Sequence, residues 1–283
     1  MSAVAEPKPA NAVAPEDLFW ARNRDGASLQ AEAWNEVLAT ILAHRSVRAF
    51  RADPLPAGTL ELLIAAAQSA PSSSNLQTWS VVAVQDAGRK ARLAELAGNQ
   101  KFIPQAPLFL VWLADLSRIQ HLADERQLKL EGLEFLETLF LGIIDAALAA
   151  QNAVVALESL GLGSVYVGAI RNKPEAVATE LGLPPKILPV FGLAIGYADP
   201  AVLTGVKPRL PRPSVLHHEQ YSSAPHSPAI VRYDSTLTEF QREQGMAEIG
   251  WTGRTIPRLK SAQSLAGRDR MREALANLGF ELR

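Results

Sequence analysis

The sequence contains no cysteine. That removes disulfides, thiolate metal sites and a cysteine nucleophile together, and it fits a reducing compartment. The five histidines, His44, His121, His217, His218 and His226, fall at no HExxH or comparable spacing, which argues against a metal enzyme. Charge of neither sign dominates: 28 basic residues against 29 acidic ones leave −1, so nothing points to nucleic acid, an anionic membrane or an acidic partner. A basic start followed by a continuous apolar run, the mark of a secretory signal, is also missing. In the most apolar stretch, 134–160, the longest uncharged run is the 12 residues 146–157, with Asp145 and Glu158 at its ends. A spanning helix needs about 20 predominantly apolar residues, so this stretch reads as a core helix and no membrane role is expected. A cytoplasmic location is the expectation.

What is present suits a sizeable core: 283 residues, 48% of them hydrophobic, can bury one large core or two modest ones. No repeats occur, and no linker is long enough to demand independent domains. Residues 1–28 read as a flexible tail and 29–283 as a single domain, with a core over about 40–211 and an extension over about 212–283. Apolar spacings of three and four predict helices over 29–43, 60–69, 89–96, 118–129, 134–160, 174–181, 236–244 and 261–278. Runs at 80–84, 107–114, 164–167 and 188–197 read as strands. The 134–160 helix is apolar all round, which predicts neighbours on every side, some of them in a second subunit.

Five segments stand out from this frame. The run HRSVRAF at 44–50 carries two arginines; three extended residues span roughly 10 Å, so Arg45 and Arg48 can address opposite ends of one long ligand. Strand alternation puts Ser46 and Arg48 on one side and Val47 toward the core. The loop APSSSNLQTW at 70–79 offers many hydroxyl, amide and backbone donors. GNQKF at 98–102 is a loop, and GLGSVYVGAIRN at 161–172 follows a helix and lacks the third glycine of a dinucleotide fingerprint, so a Rossmann site is rejected. Gly161 reads as a helix C-cap, while Gly168 and Ala169 let backbone NH groups approach a flat ligand. KPRLP at 207–211 puts two cations on a stiff segment. Taken singly, each has an ordinary reading as a solvated basic turn, a capping loop or a linker.

Together and in this order, HRSVRAF, APSSSNLQTW, GNQKF, QNAVVALESLGLGSVYVGAIRN (151–172), LPVFGLAIGYADP (188–200) and KPRLP resemble one family. The chain is similar to the FMN-dependent nitroreductases, in the branch of oxygen-insensitive NADPH nitroreductases and NADPH–flavin oxidoreductases, over about 40–245. The resemblance implies an α+β fold with a mainly antiparallel sheet sandwiched by helices, in an intertwined homodimer. It implies that His44, Arg45 and Ser46 hold the phosphate and ribityl end of FMN, with Lys207 and Arg209 completing the phosphate site. Arg48 would reach the N1/O2 edge of the ring and Gln100 the pyrimidine edge. Tyr166, Val167, Gly168 and Ala169 would supply backbone contacts near N5 and O4. Pro71, Ser72, Ser73, Ser74 and Asn75 would come from the second subunit.

The implied activity is NAD(P)H-dependent, two-electron, ping-pong reduction of nitroaromatics, quinones or flavins. No side-chain triad or carboxylate pair is required, because the chemistry belongs to the cofactor. Two other classes share the features: a flavin-fragmenting or reductive dehalogenating enzyme, for which no additional lid is identified, and a non-catalytic flavin-binding protein. One departure stands out. Where the NADPH-using branch places an arginine for the 2′-phosphate, just before the glycine corresponding to Gly245, this chain has Gln244. NADPH or NADH is therefore the expected donor, with Arg242, Arg254 and Arg258 as candidate substitutes.

Overall fold

The two runs read as buried strands, 107–114 and 188–197, lie side by side at the centre of a four-stranded sheet. The structure is a computed structural model and describes residues 13–24 and 32–283. Among them the helices are α1 (Pro15–Asn23), α2 (Glu36–Ala43), α3 (Thr59–Gln68), α4 (Ala87–Leu96), α5 (Phe102–Gln105), α6 (Ser117–Glu125), α7 (Leu136–Ser159), α8 (Pro174–Leu181), α9 (His226–Glu243), α10 (Thr252–Leu259) and α11 (Met271–Asn277). The strands are β1 (Trp79–Val84), β2 (Leu108–Asp115), β3 (Gly163–Val167) and β4 (Ile187–Gly196). The described residues form two compact units: one from those up to Arg45 with Pro200–Ser264, the other from Ser46–Asp199 with Leu265–Arg283.

The second unit holds the sheet, in the order β1-β2-β4-β3 with every neighbouring pair antiparallel. Every residue of β2 is buried, which is why its sequence shows no polar alternation. Phe109, Val111 and Leu113 join Leu93, Ile103 and Val177 on one face. Leu108, Leu110 and Trp112 join Leu63, Ala149, Val154 and Leu157 on the other. Helices thus cover both faces, as the resemblance implied: α4 and α8 on one, α3 and α7 on the other. The inner side of α7 is small, with Ala146, Ala149, Ala150 and Ala153 fully buried, so the helix lies close against the sheet.

The first unit packs α1, α2, α9 and α10 with the run between β4 and α9. Its core is Tyr233, Leu237 and Phe240, against which Leu210 and Trp251 pack. Arg24 donates twice to Glu243, at 2.9 and 2.7 Å, and lies over the Trp20 and Phe240 rings.

Several expectations shift, each for a local reason. Part of the segment read as a tail is helical: α1 has proline in its first turn, Glu16 and Asp17 complementing its N-terminal dipole, and a left-handed Arg24 closing it. The other tail residues, 1–12 and 25–28, lie outside the described residues, as do 29–31 of the helix predicted over 29–43. That helix begins at Glu36, because the Asn35 side chain accepts from the Leu38 amide and caps it. The helix predicted over 236–244 begins ten residues earlier, at His226. The helix predicted over 261–278 is broken by left-handed Ala266 and Gly267; a Cβ at Gly267 would stand 2.6 Å from the Asn172 carbonyl oxygen. Only its last part survives, as α11.

The expectation for 134–160 is met on one side. α7 spans 24 residues and is long and apolar enough to cross a bilayer by length and composition. Its inner face is covered by the sheet and α3, but Leu136, Phe140, Ile144 and Leu148 form an outer stripe that is 40 to 53% exposed. Gly161 ends the helix as expected: the Leu162 amide reaches the Leu157 carbonyl and the Gly161 amide that of Glu158.

Candidate functional site

The run 46–51 is held as an extra extended segment beside β3. The Val47 amide donates to the Ser164 carbonyl at 2.8 Å, Asp199 N to Ala49 O at 3.0 Å, and Arg51 N to Tyr197 O at 2.9 Å. Alternation then works as the sequence implied: Val47 is 2% exposed, while Ser46 and Arg48 face outward. Gly163 makes this possible. A Cβ there would stand 2.6 Å from Val47 Cγ2, a distance side-chain carbons do not tolerate. Gly163→Ala is expected to lower stability by about 2 kcal/mol through overpacking, read as a lower denaturant midpoint. An unchanged midpoint would show that Val47 is not seated as described.

Further along the same strand, Tyr166 is the exposed residue in an otherwise buried run. Its hydroxyl donates to Gln151 Oε1 at 3.3 Å and its ring stands edge-on to Phe191. Burial and the nearby Glu158 carboxylate push its phenol well above the usual tyrosine range, so it stays a neutral donor. The Val167 side chain is buried, leaving only its backbone for a ligand. Gly168 and Ala169 open a tight turn, Gly168–Asn172, over which Arg171 lies. The Arg171 guanidinium donates to the Val190 carbonyl, and burial lowers its pKa. The Gly98–Gln100 loop lies beside this turn, where a Cβ at Gly98 would be 3.5 Å from Asn172 Nδ2. Strand β3 and its turn therefore gather Ser46, Arg48, residues 166–169 and the loop carrying Gln100.

The loop 71–75 has a different anchor, and this one was not foreseen. Asp145, on the buried side of α7, is 2% exposed. Its Oδ2 accepts from Ser72 Oγ (2.7 Å), Thr78 N (3.0 Å) and Thr78 Oγ1 (2.9 Å), and its Oδ1 from Ser73 N (3.3 Å). Ser74, Asn75 and Gln77 are all left-handed, with φ of 48°, 55° and 52°. The Ser72 hydroxyl also accepts from the Gln77 amide, so it is engaged inside the chain and only the Ser72 backbone remains for a ligand. A charge inside an apolar run was the one sequence signal that could have found Asp145.

In the other unit, His44 caps the end of α2 and Arg45 Nε donates to Thr204 Oγ1 at 3.2 Å. The KPRLP run has no regular secondary structure. Tyr233 Oη donates to the buried Pro208 carbonyl at 2.8 Å, and burial raises that phenol's pKa against the opposing charges of Arg209 and Arg22. Arg22 of α1, also unforeseen, donates to the Lys207, Leu42 and His44 carbonyls at 2.9, 3.1 and 2.6 Å. The two cation-bearing segments are thereby tied backbone to backbone. Neither Arg45 nor Arg209 pairs with a carboxylate among the described residues, which fits a cradle for a phosphate dianion.

Of the three candidate substitutes for the missing arginine, Arg242 is neutralised by Glu248 through contacts of 3.2 and 2.8 Å. Arg258 donates to the Ser264 carbonyl, and Arg254 is exposed. No cluster of three or more potential metal ligands occurs among the described residues.

Two family models match this chain: the nitroreductase family over residues 41–197, and the nitroreductase family C-terminal domain over 207–283. An FMN reductase (NADPH) from Bacillus subtilis is 40% identical over 231 residues, 80% of this chain and 92% of that protein. An oxygen-insensitive NADPH nitroreductase from Salmonella typhimurium is 41% identical over 205 residues, 72% and 82% of the respective chains. The solved structure of an NADPH:FMN oxidoreductase from Vibrio harveyi, complexed with NAD+, matches with a TM-score of 0.78 at 34% identity, covering 88% of this chain and 100% of that one.

Proposed function

The chain belongs to the nitroreductase family, and we propose from that premise that it is an NAD(P)H-dependent FMN oxidoreductase reducing small aromatic acceptors: nitroaromatics, quinones or flavins. The observation that carries the assignment of the binding residues is the pair of cations without carboxylate partners, Arg45 and Arg209. Bound FMN supplies the two-electron hydride chemistry. His44, Arg45, Ser46, Lys207 and Arg209 hold its phosphate and ribityl end. Arg48 sets a fixed positive charge beside the N1/O2 edge, where negative charge grows on reduction. Gln100 bonds the pyrimidine edge, and the backbone of Tyr166, Val167, Gly168 and Ala169 meets the side carrying N5 and O4.

Pro71, Ser72, Ser73, Ser74 and Asn75 reach the cofactor from a second copy of the chain, Ser72 through its backbone. A homodimer gives the outer stripe of α7 its missing cover; an apolar stripe of this kind marks an interface. Donor and acceptor would use the same site in turn, which gives ping-pong kinetics. A cytoplasmic site of action fits a cysteine-free chain fed by reduced nicotinamide.

The test is anaerobic mixing of the FMN-saturated protein with NADH and with NADPH, followed at the flavin absorbance maximum. Because Gln244 stands at the 2′-phosphate position and Glu248 neutralises Arg242, bleaching is expected with both donors, at rates within about tenfold. Absence of flavin absorbance after saturation would remove the reading entirely. Bound flavin that neither donor bleaches would reassign the protein to the non-catalytic class.

A further inference from the structure

Helix α1 lies outside both family matches, 41–197 and 207–283, and yet its last turn makes the closest connections to the cation-bearing segments. The carbonyls at the end of α2 have no partners within their own helix. Arg22 supplies them: Nη2 donates to Leu42 O and His44 O, while Nη1 donates to Lys207 O. In return, the Arg22 carbonyl accepts from the Arg209 amide at 3.0 Å. One residue thus fixes the backbone at 42, 44, 207 and 209. A planar guanidinium suits this task, because its donors point along set directions in one plane. Helix α1 is itself held in place, by the bidentate Arg24–Glu243 pair and by Arg212 over the Phe19 ring.

We propose that Arg22 is a positioning residue for the phosphate of the flavin: it holds the segment of His44 and Arg45 and the segment of Lys207 and Arg209 at a fixed spacing. This rests on the FMN reading given above. Without Arg22 the two segments must be ordered anew each time phosphate binds, and that cost falls on affinity. The isoalloxazine ring takes its contacts elsewhere, from Arg48, Gln100 and residues 166–169. Loss of Arg22 therefore weakens FMN selectively over riboflavin, which has the same ring and no phosphate.

The experiment measures dissociation constants of the full-length apoprotein for FMN and for riboflavin, by quenching of flavin fluorescence. Arg22→Ala is expected to weaken FMN about tenfold and riboflavin less than about twofold. Glu16→Ala, an exposed position in the first turn of the same helix, is the control and is expected to leave both constants within about twofold. Unchanged FMN affinity in Arg22→Ala, a parallel loss of riboflavin, or an equal FMN loss in Glu16→Ala would each overturn the proposal. Should Arg22→Ala lack native circular dichroism, Arg22→Lys replaces it, with a phosphate-selective loss of about threefold expected because the charge stays and the fork is gone. If the unaltered protein binds neither flavin, the FMN reading fails and the role of Arg22 fails with it. If it binds both and the variants match it, only the role of Arg22 fails.

Discussion

Asp145→Ala is expected to destabilise the protein by about 4 kcal/mol, because it strips partners from two buried donors worth about 1–3 kcal/mol each. Those donors are the amide and hydroxyl of Thr78, a residue only 1% exposed. Ser72 and Ser73 lose their bonds too, but they are closer to solvent and can turn to water. The loop they belong to holds Ser74, Asn75 and Gln77 in the left-handed region, which costs an ordinary residue roughly 1–2 kcal/mol. Asp145 offsets that cost from the outside of the loop.

Gly142 brings the carboxylate within reach: one turn earlier on α7, its missing side chain leaves room for Ala114 and the Thr78 carbonyl. Asp145→Asn keeps the shape but turns one acceptor into a donor facing donors, and about half the loss is expected. Denaturant unfolding monitored by tryptophan fluorescence measures both. A loss under about 1 kcal/mol for Asp145→Ala would mean the loop is held by something else.

Arg48→Ala is expected to slow reduction of the bound flavin about 100-fold, the size seen when one fixed charge-stabilising donor is removed. The backbone on either side of Arg48 is pinned, through Val47 to β3 and through Ala49 to Asp199. Its side chain therefore leaves from a fixed base, which is what preorganised stabilisation needs. FMN affinity falls as well, by a smaller factor, because the phosphate contacts remain. Arg48→Lys keeps the charge without the planar fork and should fall between the two. Anaerobic stopped-flow reduction at saturating FMN separates rate from occupancy, and an unchanged rate would put Arg48 away from the ring.

Much of the frame was legible in the sequence because its signals are local. Helix α8 has proline at its start and left-handed Gly182 at its end, and its predicted bounds, 174–181, coincide with the structure. Strands β2 and β4 are unbroken apolar runs of strand length, and both lie at the sheet centre. The orientation of Ser46, Val47 and Arg48 followed from alternation alone. What escaped notice depends on partners distant along the chain. Asp145 bonds residues 67 to 73 positions away, and nothing near it in sequence announces them. The start of α10 is capped by Asp234, whose carboxylate takes the Trp251 and Thr252 amides at 2.7 and 2.8 Å. Without that tertiary cap, 254–260 reads as a basic linker containing a proline. Arg22 sits in a stretch whose composition suggests no fold, and its three acceptors lie 20, 22 and 185 residues away.

Helix α7 carries the loop-holding carboxylate on one side and the exposed stripe of Phe140, Ile144 and Leu148 on the other. In the proposed homodimer, a single rigid rod about 36 Å long would belong both to subunit assembly and to the shape of the loop offered to the second subunit. Assembly and cofactor retention would then form one linked equilibrium, governed by mass action. Dilution is expected to separate the subunits, withdraw the borrowed loop and release the flavin, and saturating flavin to pull the subunits back together.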